Sequence, residues 1–224
     1  MKRLFHTPDF TRLAVVCFVV FAASTTFAQE GIETLWSPDD IQKFREGFLE
    51  DFKRSGLSTT PGDARFLRIM VESSNAQRGV EVGSFTGFGA IHMGMGFERT
   101  GGHLYTIEID PETADKCREN IKKVGLDRTV TVITGDALEV LPKLEGKFDF
   151  VFIDAQKSDY FKYFKAIHDA LEPGTVIVAD NVMIYAEQMR DFLDGMEQDP
   201  NYDIEIIQCS EEKGDGMAVI YKIK

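Results

Sequence analysis

Cysteine is scarce in this sequence, and the scarcity excludes a disulfide-built scaffold. Three cysteines occur among 224 residues, and Cys17 lies in an apolar N-terminal segment, which leaves Cys117 and Cys209. Two distant cysteines form no disulfide framework, and neither stands at the spacing of metal-ligand pairs. We therefore predict that both are packing residues.

Basic residues are also few. The chain has 25 Lys and Arg against 37 Asp and Glu, a formal net charge of −12. A strongly acidic chain is a poor electrostatic match for a phosphate backbone, so we expect no nucleic-acid partner. Hydrophobic residues make up 43% of the chain, without an internal repeat or a low-complexity linker. This composition suits one domain with a sizeable core.

The N-terminal segment has a pattern of its own. Basic residues precede the apolar run "LAVVCFVVFAA", and "STTFAQ" then places the small residues Thr26 and Ala28 around Phe27. This order is typical of a secretory signal peptide, so residues 1–28 are predicted to be a cleaved leader and residues 29–224 a single domain. The run is short for a bilayer span, so no stable membrane span is expected. The protein would then be exported or periplasmic. The alternatives are an uncleaved anchor, or a start codon misassigned upstream of a cytoplasmic enzyme.

Short apolar strands alternate with helices along the rest of the sequence. Two helical segments come first, separated by "STTPGD", which is predicted to be a turn or loop. The strands "RGVEVG", "GHLYTIEI", "TVTVIT", "FDFVFID" and "TVIVAD" are each followed by a helix. Such alternation indicates right-handed crossovers and a mainly parallel sheet. The strands "YDIEIIQC" and "GMAVIYKI" have no helix between them and predict an antiparallel hairpin at the edge. The predicted fold class is therefore α/β, a doubly wound Rossmann-like sheet with an antiparallel C-terminal strand.

Glycines and acidic residues follow the first three strands, where open α/β sheets bind ligands. The first strand ends "VEVGSFTGFG", which contains Gly83, Gly87 and Gly89 but not the G-x-G-x-x-G spacing of dinucleotide sites. Glu108 in "TIEID" can accept hydrogen bonds from two ribose hydroxyls, and "TGDAL" brings Asp136 and Ala137 to border an adenine. Together these turns predict a nucleoside site without a pyrophosphate. A nicotinamide-dependent dehydrogenase remains an alternative that the missing fingerprint disfavours.

Oxygen-bearing side chains follow the fourth and fifth strands. Asp154 ends "FDFVFID", Asp180 and Asn181 end "TVIVADN", and Lys157 lies three residues beyond Asp154. Oxygen ligands without histidine or cysteine suit Mg²⁺, Mn²⁺ or Ca²⁺ rather than zinc. We predict that Asp154, Asp180 and Asn181 bind a divalent cation, with Mg²⁺ preferred over Mn²⁺ and Ca²⁺. The alternative is that these side chains cap helices and that Lys157 is a solvated loop residue.

A cation beside a lysine suits the activation of a phenolic hydroxyl. Such a hydroxyl has a pKa near 10 and is a poor nucleophile until a bound cation lowers that pKa. Lys157 can take or steer the departing proton, so Lys157 and Asp154 are the predicted catalytic residues. Two adjacent hydroxyls on one ring could chelate the cation together.

Six segments resemble, in the same order, the cation-dependent O-methyltransferases. This S-adenosylmethionine family contains the catechol and caffeoyl-CoA O-methyltransferases. The segments are "VEVGSFTGFG", "YTIEIDPE", "GDALEVLP", "FDFVFIDAQKSDY", "VIVADNV" and "GDGMAVIYKIK". The resemblance extends from about residue 35 to the C-terminus and implies a seven-stranded methyltransferase sheet. It also implies methyl transfer from S-adenosylmethionine to a hydroxyl of a small catechol-type or phenolic acceptor.

The resemblance assigns cofactor contacts residue by residue. It implies that Glu81 and the Gly83–Ser84 backbone contact the methionine part, that Glu108 holds the ribose and that Ala137 lies near the adenine. Thr59 occupies the position of another contact, whereas Gly89 stands where many members have a serine that helps to bind the carboxylate. The predicted cofactor residues are Thr59, Glu81, Gly83, Ser84, Gly87, Gly89, Glu108, Asp136, Ala137 and Asp154.

The segment after Asn181 departs from the family pattern. "VMIYAEQMRDF" lacks the Trp-x-Gly element and the longer insertion that wall the acceptor pocket of plant-like members. Tyr160, Met183 and Tyr185 therefore have three open roles: acceptor pocket, core, or contacts of a homodimer. An exported enzyme would also need a supply of S-adenosylmethionine, which is made in the cytosol. An exported nucleoside-binding protein without catalysis is thus a further alternative.

Overall fold

The structure is a computed structural model that describes residues 37–210 and 212–224. These residues divide after Asp51 into two units, of which the second, residues 52–224, contains the sheet. The predicted leader, residues 1–28, lies outside the described residues, so both the leader and the single domain over 29–224 stay predictions. In the part of the chain that is described, no helix is long and apolar enough to cross a membrane.

The first unit contributes one described helix, α1 (Pro38–Glu50). Ser37 caps it, because its Oγ accepts from the Asp40 N–H at 3.2 Å while the Asp40 carboxylate accepts from the Ser37 N–H at 3.2 Å. Proline at the first helical position needs no hydrogen bond there. These two reciprocal bonds form a capping box.

The second unit alternates strands and helices as predicted. Its helices are α2 (Pro61–Ser73), α3 (Phe88–Thr100), α4 (Pro111–Lys123), α5 (Ala137–Val140), α6 (Tyr160–Ile167) and α7 (Arg190–Gln198). Its strands are β1 (Arg78–Val82), β2 (His103–Glu108), β3 (Val130–Thr134), β4 (Phe148–Ile153), β5 (Leu171–Ala179), β6 (Tyr202–Ser210) and β7 (Asp215–Lys222). Short 3₁₀ turns lie at Leu141–Lys143, Lys157–Asp159, His168–Ala170 and Ala186–Met189.

One predicted loop is wrong. The segment "STTPGD" contains the first turn of α2, because Pro61 is its first residue and Thr60 is its cap. Thr60 Oγ1 accepts from the Asp63 N–H at 3.2 Å and donates to the Asp63 carboxylate at 2.6 Å. Proline and glycine suggest a turn, but a threonine before a proline also starts a helix well.

The seven strands form one sheet in the order β3-β2-β1-β4-β5-β7-β6. The first five strands are parallel, and β7 pairs antiparallel with both β5 and β6. The predicted fold class and the edge hairpin are therefore confirmed. The strand order reverses direction between β1 and β4, which is the switch point where such sheets open a ligand crevice.

The register at this switch point brings the ends of three strands together. Val82 of β1 lies opposite Ile153 of β4, and Ile153 lies opposite Ala179 of β5. The residues that follow, Gly83, Asp154 and Asp180, therefore leave the sheet side by side. The strands behind them are mainly apolar and are buried toward their carboxyl ends, as is usual in parallel sheets that are covered on both faces.

The two described cysteines are free thiols in this fold. Cys117 is fully buried, and burial raises its pKa to about 12. Cys209 is half-buried, and burial likewise raises its pKa to about 12. Both thiols stay protonated near neutral pH, as expected of packing residues.

Candidate active site

A cavity of about 960 Å³ opens at the carboxyl ends of the parallel strands. Predicted site residues contribute to its wall from every one of these strand ends. Those that line it are Gly83, Glu108, Ala137, Asp154, Lys157 and Asn181. The sheet thus gathers into one cavity residues that lie almost 100 positions apart along the chain.

Gly83 allows the turn after β1 to lie against the turn after β4. Its φ is +91°, and a Cβ added there would lie 2.1 Å from the Asp154 carbonyl oxygen. That oxygen belongs to the backbone and cannot move away cheaply. Only glycine therefore permits the turn after β1 to lie this close to the backbone of Asp154.

Glu108 is held by backbone donors at the edge of the cavity. Its Oε2 accepts from the Phe85 N–H at 2.8 Å and its Oε1 from the Asp110 N–H at 3.1 Å. These bonds fix the carboxylate, whose remaining lone pairs can still accept hydrogen bonds from a ligand. Phe85 lines the cavity with a φ of 47°, and sequence reasoning missed it. The signal in the sequence was the position of Phe85 between Gly83 and Gly87, in the turn that was predicted to bind a ligand.

Gly89, in the first turn of α3, lies close to the side chains of Thr59 and Glu81. A Cβ added at Gly89 would lie 2.9 Å from Thr59 Oγ1 and 3.2 Å from Glu81 Oε1. A serine at position 89 would require the Thr59 side chain to shift, so the Thr59 hydroxyl is the polar group present at this point. Burial raises the pKa of Glu81 to about 8, although a hydrogen bond from the Thr106 hydroxyl opposes the increase.

The other predicted cofactor residues support the turns that carry the site. Ser84 is buried, and Gly87 precedes α3. Asp136 caps α5 by accepting from the Leu138 N–H at 2.8 Å. Thr59, Glu81, Ser84, Gly87, Gly89 and Asp136 are not part of the described cavity wall.

Asp180 is a buried carboxylate directly after β5. The residue is 0% exposed, and neither carboxylate oxygen has a partner within the described residues. Burial, then the charges of Asp154 and Asp63, raise the pKa of Asp180 to about 8. The positive charge of Lys157 and, after it, the Asn181 N–H act in the opposite direction and lower this pKa. Asp180 therefore caps no helix, and the capping alternative is wrong for this residue.

Asn181 has its amide donor engaged, which leaves its carbonyl oxygen available. Its φ is +61°, in the left-handed region that asparagine tolerates. Its Nδ2 donates to Asp215 Oδ2 at 3.1 Å. Asp215, also 0% exposed, accepts in addition from the N–H groups of Met183, Ile184 and Gly216 at 3.0, 3.1 and 2.8 Å. The quoted segment "GDGMAVIYKIK" contains Asp215, but its role was not predicted.

The donor set fits a divalent cation. An unpaired buried carboxylate costs several kcal/mol unless it is protonated or paired with a cation. Asp180 is such a group, and Asp154 and Asn181 supply further oxygens beside it. Two carboxylates and an amide carbonyl are hard ligands of the kind that Mg²⁺ and Mn²⁺ accept. Within residues 37–210 and 212–224, no three His, Cys, Asp or Glu side chains are grouped to hold a metal on their own.

Lys157 is engaged on the cavity wall, so the solvated-loop alternative is wrong. Its side chain is 14% exposed. Its Nζ donates to Asp154 Oδ1 and to the Tyr160 hydroxyl, each at 2.8 Å. Tyr160 is fully buried in the core, whereas Tyr185 lines the cavity. Met183 is 44% exposed and is not part of the described wall.

The outer wall of the cavity combines apolar side chains with an ion pair. Leu57, Ile184 and Tyr185 are exposed and line the cavity. Arg54 bridges to Glu212 through two contacts of 3.3 Å, which join residues 158 positions apart. Sequence reasoning found neither partner, because only the tertiary fold brings them together.

Three comparisons with known proteins agree with this geometry. Residues 40–222 match the family described as O-methyltransferase. Catechol O-methyltransferase of Niastella koreensis is 37% identical over 149 residues, which are 65% of this chain and 67% of the relative. Catechol O-methyltransferase of Mycobacterium tuberculosis is 33% identical over 176 residues, which are 73% of this chain and 80% of the relative.

A solved structure has the same fold. The O-methyltransferase from Bacillus cereus, in complex with SAH, superposes with a TM-score of 0.72 at 26% identity, covering 87% of this chain and 96% of that one. The family match includes every predicted site residue, from Thr59 to Asn181. This chain therefore belongs to the O-methyltransferase family.

Proposed function

We propose that this protein transfers a methyl group from S-adenosylmethionine to a hydroxyl of a small catechol-type or phenolic acceptor, assisted by a divalent cation. One observation carries the proposal. The unsatisfied carboxylate of Asp180 lies beside the Asp154–Lys157 pair, at the carboxyl end of the sheet. The names of the two catechol O-methyltransferases support the acceptor class.

The donor half of the cavity suits a nucleoside with an amino-acid tail. Glu108 is fixed by two backbone N–H groups, ready to accept from ribose hydroxyls. Glu81 and Thr59 lie close to each other outside the described cavity wall and are the proposed contacts of the amino-acid end, whereas Ala137 lines the cavity at the third strand end. The Bacillus cereus structure in complex with SAH supports this assignment. S-adenosylmethionine supplies the methyl group on a sulfonium, which makes the methyl carbon electrophilic.

The acceptor half combines hard oxygen ligands with an apolar wall. Asp154, Asp180 and Asn181 would hold a cation, which when bound lowers the pKa of a hydroxyl near it. Leu57, Ile184 and Tyr185 offer apolar surface for an aromatic ring. An aromatic ring with two adjacent hydroxyls suits both features, because its hydroxyls can face the cation and its apolar face can pack against the apolar wall.

Lys157 is the base in this proposal. The hydroxyl proton passes to the lone pair of neutral Nζ, which becomes an ammonium group. The oxygen then bonds to the methyl carbon while the carbon–sulfur bond breaks and its electron pair stays on sulfur. Asp154 holds the amine at 2.8 Å throughout. Most of the chain's contribution is the positioning of these groups.

A methylation assay with a panel of catechols, with and without chelator, tests the function. Chelator should abolish transfer, and added Mg²⁺ or Mn²⁺ should restore it. Transfer that continues unchanged in chelator would contradict the cation. No transfer to any catechol or phenol would contradict the function and leave the non-catalytic nucleoside-binding alternative. Family membership already argues against a nicotinamide-dependent dehydrogenase.

The lysine has a matched control in the same chain. Lys157→Ala should lower kcat by on the order of 10²–10⁴-fold, the usual cost of a lost general base. The deficit should narrow as the pH approaches the pKa of the acceptor hydroxyl, which then ionises unaided. Lys162 also pairs with an aspartate three residues earlier, at 2.6 Å from Asp159, but is exposed. Lys162→Ala should keep full activity, and an equal loss in both variants would contradict the base.

We also propose export by the leader at residues 1–28, followed by cleavage after Ala28. The pattern of the leader is the sole support for this proposal. N-terminal sequencing of native material should find a first residue near Gln29. Recovery of Met1 or Lys2 would contradict it.

A further inference from the structure

Lys213 places a positive charge on the cavity wall without a carboxylate partner among the described residues. It lines the cavity and is partly buried. Its Nζ makes one hydrogen bond within the described part of the chain, to the Ser58 carbonyl oxygen at 3.4 Å, which is longer than usual for such a bond. An ammonium group carries three N–H donors, so two donors of Lys213 are available to a ligand.

The other two cations of the described wall are each paired with a carboxylate of the same wall. Arg54 pairs with Glu212 at 3.3 Å, and Lys157 pairs with Asp154 at 2.8 Å. Their charges are thereby offset inside the protein. Within the described wall, Lys213 is thus the cation whose charge no carboxylate of the chain offsets.

Two connections place Lys213 on the acceptor side of the cavity. Ser58, which accepts its hydrogen bond, directly follows Leu57 of the apolar wall. Asp215, two residues after Lys213, accepts from the N–H of Ile184, which belongs to the same wall. Leu57 and Ile184 are 74% and 55% exposed, so this part of the wall lies at the mouth of the cavity.

The proposed ligands of the cation lie at the other end of the acceptor half. Asp154 and Asn181 follow the strands directly, and their side chains are largely buried. An acceptor whose hydroxyls face these two residues directs a substituent on the far side of its ring toward the mouth, where Lys213 lies. The cavity of about 960 Å³ is near the upper end of the range of small-molecule sites, about 300–1,000 Å³, and has room for a substituted ring beside the donor.

We propose that Lys213 is a specificity-determining residue that binds a carboxylate carried by the ring of the acceptor. This inference rests on the proposed function and narrows its substrate class from catechols in general to catechol carboxylates. A carboxylate only accepts hydrogen bonds, and the available N–H donors of Lys213 match it in number and in charge. The chain has a formal net charge of −12, so the attraction of an anion depends on such a local positive charge.

The test compares two acceptors that differ by one charge. They are a dihydroxybenzoate with adjacent hydroxyls and the corresponding uncharged dihydroxybenzamide. Lys213→Met removes the ammonium group and keeps a flexible apolar side chain. The KM for the acid should rise about five- to tenfold, because a hydrogen-bonded ion pair is lost. Its kcat should change less than about twofold, because a contact remote from the reacting hydroxyl is equal in the ground state and the transition state.

The amide and a second lysine are the controls. The KM for the amide should change less than about twofold in Lys213→Met, which shows that the cavity is intact. Lys53→Met removes the same charge from the segment that leads to Ser58, but Lys53 is exposed and is not part of the described wall. This variant should keep the wild-type KM for both acceptors.

A binding measurement gives a readout that is independent of turnover. Calorimetric titration should show the dissociation constant of the acid rising about five- to tenfold in Lys213→Met, and that of the amide unchanged. Lys213→Glu reverses the charge and should weaken binding of the acid further, about tenfold or more, while the amide again binds as in the wild type.

The outcomes distinguish this inference from the function on which it rests. An unchanged KM for the acid in Lys213→Met would overturn the inference while leaving the methyltransferase intact. An equal rise for acid and amide would also overturn it, because Lys213 would then support the cavity instead of recognising a charge. An equal rise in Lys53→Met would reduce the effect to net charge and contradict a direct contact. A wild type that methylates no catechol, charged or neutral, would overturn the proposed function, and this inference with it.

Discussion

Two buried aspartates lie at the ends of adjacent strands, and the protein treats them in opposite ways. Asp215, at the start of β7, is 0% exposed and accepts from Asn181, Met183, Ile184 and Gly216. Asp180, just after β5, is also 0% exposed, and its carboxylate accepts from no described group. A carboxylate that the chain satisfies itself is structural. One that the chain buries and leaves unsatisfied points to a group from outside the chain.

The largest expected effect is on activity at Asp180. Asp180→Ala should lower methyl transfer by on the order of 10²–10³-fold, because the proposed cation would lose a ligand worth several kcal/mol. S-adenosylmethionine binding should persist, since the donor contacts come from other strand ends. Thermal unfolding should show no loss of stability, because the variant removes an unsatisfied buried carboxyl group. If the Asp180→Ala variant kept wild-type activity, Asp180 would not bind a group that catalysis needs, and the proposed difference from Asp215 would be wrong.

Asp215 should give the reverse pattern. Asp215→Ala strands several donors in the core and should lower the free energy of unfolding by about 2–4 kcal/mol. Denaturant titration measures this change, with Asp203→Ala as an exposed aspartate control on β6. A stability equal to that of the wild type would mean that the Asp215 bonds do not hold the turn after Asn181.

Glu108 is an intermediate case, with two backbone donors and an open side toward the cavity. Glu108→Ala should weaken S-adenosylmethionine binding by about 1–3 kcal/mol, the value of hydrogen bonds to a charged group. Calorimetric titration measures the loss, and acceptor methylation at saturating donor should suffer less. An unchanged dissociation constant would remove Glu108 from the ribose site.

Glu81 should give an effect that is visible only as a pH dependence. Its folded-state pKa is raised from 4.5 to about 8, so the folded protein binds a proton that the unfolded chain releases between these values. The free energy of unfolding should therefore fall as pH rises through this window, by about 1 kcal/mol from pH 5 to pH 6. Glu81→Gln should remove that part of the slope in unfolding curves. An identical slope in both proteins would mean that Glu81 stays ionised when folded.

The sequence predicts best what local pattern determines. Apolar runs such as "FDFVFID" are strands in any context that buries both faces, and the residue after such a strand must leave the sheet at its carboxyl edge. This is why Asp154, Asp180 and Glu108 could be assigned to one edge from the sequence. The antiparallel hairpin followed in the same way, from two strands without a helix between them.

What the sequence could not predict depends on partners that are distant in the chain. Asp180 and Asp215 are both aspartates beside strands, and nothing local shows that one has four donors and the other none. The bridge from Arg54 to Glu212 and the bond from Ser210 to Asp63 each join residues about 150 positions apart. The start of α2 was missed for a local reason, because "TTPGD" suits both a turn and a capped helix.

The close approach at Gly83 restricts how this enzyme can evolve. Every side chain larger than hydrogen would collide with the backbone of Asp154, at 2.1 Å, and would also strain a φ of +91°. Neither obstacle can be relieved by a second substitution, since a carbonyl oxygen is the same in every residue. Position 83 is thus closed to variation, whereas Phe85, two residues on, lines the cavity without such a constraint on its side chain. New specificities in this turn can arise through position 85 but not through position 83.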